Sequence, residues 1–409
     1  MPASLAPPSS DHAAAPVGRL PAAVLMAGSC LPVLGAVLLA PVLPRIQEHF
    51  DHVPGSAALV PVVLTVPALA LALLAPFAGV IVDRLGRKRL LVIATALYAV
   101  FGTAPLWLES LHAIVVSRVL VGVTEAAIMT ACTTLIGDYY SGEVRDRYLA
   151  LQTMCASASA TVFFVLGGVL GAADWRAPFW LYAAGLLVAP VMARVLPKPA
   201  LPQKEQGAST RSVQHPFPVR RMAGICLLTV FGAVVFYTVP VEMAYLLDDL
   251  GIDSTSTIGV VTAVASAATV LGSVIFARLP QHRRLQLPAL FAWCASGFLL
   301  MGLADSLPLL ITGAVINCVG TGMLLPSLVT RAMSRLGFAD RGRGMGLWTA
   351  AFFLGQFLCP LVLLAGKGAV GSLAVAVAAL GAATAITAAL LLPAARRNST
   401  DAEVTTGDR

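Results

Sequence analysis

Apolar runs long enough to cross a bilayer recur twelve times along this chain, and most of the charge falls between them. A hydrocarbon layer about 30 Å thick takes about 20 helical residues to cross. Windows of that length cover 21–44, 57–82, 90–108, 112–137, 148–171 and 177–196, then 222–247, 256–278, 286–304, 307–330, 344–365 and 369–393. Lipid offers backbone N–H and C=O groups no partner, so such runs close their hydrogen bonds internally as helices. With 58% hydrophobic and 11% charged residues, the 409-residue chain is too apolar for a soluble globule. The expectation is an all-α polytopic membrane protein with lipid as its surroundings.

The spans fall into six and six. Residues 21–196 are expected to form an N-terminal six-helix bundle and 222–393 a C-terminal one. Between them, 197–221 is a proline-bearing polar linker with Lys198, Lys204, Glu205, Arg211, Arg220 and Arg221. Residues 1–20, rich in Pro, Ala and Ser, are expected to be a disordered cytoplasmic tail, and 394–409 a second cytoplasmic tail. The first apolar run is long enough to stay as a span, which argues against a cleaved signal peptide.

The net charge of +7 invites a nucleic-acid reading. Its cations sit in short loops rather than on a soluble domain, so no nucleic acid is expected as a partner. The same cations set orientation. With the N-terminus inside, Arg84, Arg87, Lys88, Arg89, Arg145, Arg147, Arg278, Arg283, Arg284, Arg331, Arg335, Arg341 and Arg343 all fall in cytoplasmic loops. Arg45, Arg176 and Lys367 fall outside, with Asp248, Asp249, Asp253 and Asp305. The bias places both termini in the cytoplasm. Short loops and much Ala, Gly and Val fit a multi-pass protein of a bacterial inner membrane, taken as a monomer.

The seven cysteines are scattered through apolar runs without C-x-x-C spacing, so neither a metal site nor a cofactor is expected. A Walker-type phosphate loop is missing, which argues against ATP as the energy source.

The halves echo each other. Arg145-Asp146-Arg147 after the fourth window recurs as Arg341-Gly342-Arg343 after the tenth. The charged turn after the second window recurs in degraded form as Arg278-Leu279-Pro280-Gln281-His282-Arg283, with Ala277 where Asp83 would align. Similar loops at matching places indicate a parallel repeat.

That charged turn reads Gly79-Val80-Ile81-Val82-Asp83-Arg84-Leu85-Gly86-Arg87-Lys88-Arg89. In sequence and in position it resembles the signature loop of the major facilitator superfamily of transporters. Asp174 to Trp180 resembles that family's connection between spans five and six. Phe353 to Leu358 looks like a segment of its bacterial drug:proton antiporter-like branch. The resemblance covers nearly everything between the tails. It implies two bundles that rock about a central pocket lined mainly by helices one, four, seven and ten. It also implies that Gly79 allows a close helix approach, and that Asp83 reaches the start of the eleventh helix near Arg341 and Arg343. Arg84, Gly86 and Arg87 would complete this cytoplasmic gate, with Arg145 and Arg147 in support. A carboxylate at a helix N-terminus beside two cations is stabilised electrostatically. One departure stands out: Phe163-Phe164 precedes Gly167-Gly168 where antiporters of the family carry Gly-Pro.

Three charges lie deep in spans: Arg118, Glu125 and Glu242. Each is costly there and calls for a cavity or a partner. Arg118, Gly122 and Glu125 share one helical face. Two readings of that face stand: a proton-coupling pair, with Glu125 as carrier tuned by Arg118 as the family resemblance implies, or a static ion pair. Tyr237, Glu242 and Tyr245 flank Pro240 on the seventh window, and Asn317 and Gln356 are the polar groups of the tenth and eleventh. These five are the substrate-contact candidates, with helix packing as the other reading for Asn317 and Gln356. The expected function is proton-coupled efflux of a small organic compound. The alternatives are an uptake symporter for a metabolite or a transport-inactive sensor of the same fold. The sparse inventory of clustered His, Asp and Glu argues against an enzyme.

Overall fold

The computed structural model describes residues 18–197, 219–278, 286–334, 336 and 340–406. Among these, eleven helices are long and apolar enough to cross a membrane. They are Arg19–His49, Ser56–Leu74, Arg87–Leu106, Leu111–Tyr139, Gly142–Ala173, Ala177–Val195, Met222–Asp249, Thr255–Arg278, Leu307–Ser334, Gly342–Val370 and Leu373–Pro393. A shorter apolar helix, Gln286–Gly302, takes the ninth place, so these are the first to twelfth spans in chain order. The expected tail 1–20 and linker 197–221 lie largely outside the described residues. The first helix already begins at Arg19, and the backbone helix of the last runs on to Thr406.

Prolines account for the departures from one helix per window. The second window, expected unbroken to residue 82, ends its helix at Leu74 and resumes as Ala78–Leu85. Pro76 has no N–H to continue the ladder, and Phe77 instead donates its N–H back to the carbonyl of Leu74. Gly86, at φ +83°, then turns the chain into the third span, a conformation that a side chain would strain. Near the opposite face the first span passes through a 3-10 turn, Ala40–Val42, and finishes as Leu43–His49, each with a proline in its first turn.

Packing follows a six-span offset. The first span packs on the fourth and fifth, the second on the fourth, and the third on the fourth and sixth. Seventh on tenth and eleventh, eighth on tenth, and ninth on tenth and twelfth repeat this in the second half. The two main seams between the halves, second with eleventh and fifth with eighth, exchange under the same offset. That relation is a pseudo-twofold axis along the membrane normal, joining two six-helix bundles.

Lipid supplies no hydrophobic push between helices, so seams depend on close packing of small residues. At the fifth–eighth seam Gly168 and Gly259 back onto each other. A β-carbon on Gly168 would stand 2.5 Å from the Thr255 carbonyl oxygen and 2.9 Å from Gly259 Cα. Further along the same seam the hydroxyls of Thr161 and Ser266 lie 3.3 Å apart.

Candidate functional site

Between the halves lies a cavity of about 610 Å³. Its walls come from the first, second, fourth and fifth spans and from the seventh, eighth, tenth and eleventh. The expected dominance of helices one, four, seven and ten is corrected here: the tenth contributes Cys318 alone, while the fifth and eighth line the cavity along much of their length. On the fifth span the lining runs from Leu149 to Phe164, from the face where that span starts to beyond mid-membrane. Toward the other face the halves are closed by the Gly168–Gly259 crossing and by Tyr237, whose hydroxyl donates to the backbone oxygen of Ala36.

The wall mixes apolar and aromatic side chains with neutral hydroxyl and amide groups such as Ser29, Gln152, Thr269 and Gln356. Trp348 stacks on Phe352 at 5.6 Å between ring centroids, and Phe236 meets Phe352 at 5.9 Å. Gln152 donates through Nε2 to the Ser29 hydroxyl at 2.8 Å. Tyr237 and Gln356 both line the cavity. Among the described lining residues Glu125 is the one ionisable acid or base of charged type. It sits midway along the fourth span, 2% exposed, and its Oε1 has no hydrogen-bond partner.

Arg118 is fully buried two turns further toward the closed face. Its Nε donates to the Val63 carbonyl at 3.3 Å, its Nη2 to the Gly35 carbonyl at 3.1 Å, and its guanidinium lies 4.9 Å from the Tyr182 ring centroid. No ion pair joins it to Glu125, so the static-pair reading of this face is not what the geometry supports. Backbone carbonyls and an aromatic face instead offset part of the cost of a buried guanidinium. The two groups are linked through the first span: a β-carbon on Gly35 would overlap Glu125 Oε1, and the carbonyl of the same Gly35 accepts from Arg118. Gly35 was not singled out by sequence reasoning; only its small size, in a span full of small residues, hinted at it.

The remaining candidates separate. Glu242, Tyr245 and Asn317 do not line the cavity. Asn317 donates through Nδ2 to the Cys294 carbonyl at 3.2 Å, tying the tenth span to the ninth, which is the packing reading. Glu242 is 5% exposed and the Tyr245 hydroxyl is buried without a partner.

At the signature loop, the side chains of Asp83 and Arg341 lie outside the described residues. Arg87 pairs with Asp138 at the end of the fourth span, within its own half. Arg84, Gly86 and Arg343 are exposed. Among the described residues Arg145 approaches its neighbour Asp146, at 3.5 Å, and Arg147 is exposed. The close approach expected at Gly79 is not seen among the described residues, since a β-carbon there would meet nothing within 4 Å. It occurs instead at Gly346 of the eleventh span, where a β-carbon would stand 3.4 Å from Pro76 Cα, at the break in the second span.

Twelve spans, a six-span repeat and a central cavity between the halves define a membrane carrier. A sequence profile of the Major Facilitator Superfamily matches residues 25–287 and 225–407, and the chain belongs to that family of transporters rather than to an enzyme class. The Escherichia coli tetracycline resistance protein, class C, is 34% identical over 161 residues, 38% of this chain and 39% of that protein. The 3-(3-hydroxy-phenyl)propionate transporter of Escherichia coli is 24% identical over 72% of this chain and 75% of its own length. The chain thus spans about two fifths of the resistance protein. Among solved structures, an inward-facing, occupied bacterial homologue of the human lysosomal transporter spinster aligns over 93% of this chain and 96% of its own, with a TM-score of 0.70 at 18% identity. The inward-open xylose transporter of E. coli gives 0.73 at 14% identity, over 91% of this chain and 94% of its own.

Proposed function

We propose that the protein is a secondary active transporter that exports a small, partly apolar organic compound in exchange for protons. The observation that carries this reading is the carboxyl of Glu125, the one charged-type side chain among the described residues of the cavity wall. A carboxyl that is alternately wet and dry as the halves rock can bind and release a proton, and Arg118 sets its surroundings. The same wall suits an amphipathic solute with a cationic or neutral polar group. With the termini in the cytoplasm, as the loop cations favour, the cavity faces inward. The membrane is then a bacterial inner membrane, and the working unit a monomer.

In the outward-facing state the signature loop, with Asp83 opposite Arg341 and Arg343, acts as the inner latch. Asp83→Asn is expected to slow cycling while leaving ligand binding intact, and normal turnover in that variant removes the latch. Uptake of a metabolite is the second reading, favoured by the longer alignment with the propionate-derivative carrier. A thermal-shift ligand screen on purified protein, followed by counterflow in proteoliposomes with the hits at two pH values, tests both. Proton-driven export lost in Glu125→Gln, with counterflow retained, supports the first. Flux of the same sign as the proton gradient supports the second, and unchanged pH dependence in the variant removes Glu125 as carrier.

A further inference from the structure

Span seven carries a second isolated carboxyl. Phe236, Tyr237, Val239 and Pro240 line the cavity, and two residues further on Glu242 leaves it. Glu242 lies seven residues from the end of its helix at Asp249, so about 10 Å of helix separates it from the closed face at about 1.5 Å per residue. Among the described residues it has no hydrogen-bond partner and no cation within ion-pair distance, although it is 5% exposed. Its surroundings are built from two helices. One turn on, the Tyr245 hydroxyl is buried with no partner. One turn back, the Thr238 hydroxyl contacts Cys359 of the eleventh span at 3.7 Å. The charges and titratable groups that act on this pocket are Lys367 of the eleventh span, exposed near the closed face, the Cys359 thiol, and Tyr245 and Asp248 of its own helix. A carboxyl that is 5% exposed at this depth is costly, and the Tyr245 hydroxyl beside it is buried without a partner.

We propose that Glu242 is a second proton-binding site, on the opposite side of the cavity roof from Glu125 and reached from the outer face. Three oxygen-bearing side chains, only one of them charged, are too few for a metal cation, which calls for six or more hard oxygen ligands in the divalent case. A proton needs one carboxylate, and a neutral Glu242 no longer carries the charge that is costly at this depth. Pro240 has no N–H for the Phe236 carbonyl, so one helical hydrogen bond is missing between the cavity-lining turn and Glu242. The proposal rests on exchange with protons, and adds that loading occurs at two places, one on each side of the roof.

The test uses full-length protein in proteoliposomes with the screened substrate. The substrate gradient that just balances an imposed pH gradient gives the number of protons exchanged per substrate. In Glu242→Gln that number should fall by half while counterflow persists, whereas Glu125→Gln should abolish proton-driven flux. An unchanged number in Glu242→Gln overturns the second site and leaves the reading of Glu125 standing. Loss of all coupling in neither variant overturns the reading itself. Should Glu242→Gln fail to fold, labelling of the native chain with a hydrophobic carbodiimide, read by mass spectrometry, gives the answer. Glu242 should be modified, and protected as pH rises. Modification that is absent, or that responds to sodium and not to pH, overturns the proposal.

Discussion

The hydroxyl of Tyr237, on the seventh span, donates to the backbone oxygen of Ala36, on the first, and so ties the two halves at the roof of the cavity. The adjoining residue, Gly35, accepts from Arg118 and packs on Glu125. Two consecutive residues of one span therefore touch the Glu125 carboxyl, the Arg118 guanidinium and the Tyr237 contact between the halves. Under the proposed proton exchange, movement of the first span has a direct mechanical route to that contact.

Tyr237→Phe keeps the ring and removes the donor. A net hydrogen bond of about 0.5–1.5 kcal/mol corresponds to a roughly two- to tenfold shift of the population away from the state closed on the outer side. Spin-label distances across the outer face, measured with and without substrate, check this; an unchanged distribution counts against the bond as a latch.

At Gly35, alanine would place its methyl where Glu125 Oε1 now sits. The carboxyl is the movable party, so the expected result is displaced coupling rather than a lost fold. Proton-driven flux should drop several-fold more than ligand affinity, read by paired flux and binding assays. Equal losses in both would mean that the substitution merely damages the cavity.

The Gly168–Gly259 crossing leaves no room for a side chain. Gly168→Val should oppose outer closure by about 1–3 kcal/mol, roughly 5- to 150-fold in population. The check is thiol labelling of a cysteine placed at Val42, which becomes more reactive if the outer side stays open. Transport should slow by a similar factor.

Arg118→Lys retains the charge and loses the planar fork that spans the carbonyls of Gly35 and Val63. We expect destabilisation of about 1–3 kcal/mol from the contacts left unmade, seen as a lower midpoint of thermal unfolding in detergent. A midpoint equal to the native one would show that lysine reaches the same carbonyls.

Much of this was readable along the chain. The windows found each span in its place, although the second overran its helix end by eight residues, and the loop echoes found the repeat that the packing displays in three dimensions. Arg118 and Glu125 stood out because charges in a 29-residue apolar helix are rare. Their shared face was readable too, but the ion pair it suggested was not formed. Spacing along one helix says which side both groups occupy, not that carbonyls of the first and second spans would reach Arg118 first. For Asn317 both readings, substrate contact and helix packing, stood open for the same reason: polarity gives depth, and helix rotation gives direction.

Membrane insertion is close to a sum over residues in a local window, so span number, span limits and the cation bias of the loops belong to the amino-acid sequence itself. Which side chains share a cavity is a matter of rotation, tilt and crossing angle among helices far apart in the chain. Those are fixed only when glycines such as Gly168 and Gly259 meet and when proline breaks such as Pro76 find their neighbours. The tertiary structure alone therefore put Glu125 in the wall, Glu242 behind the roof and Gly35 between the acid and its cation.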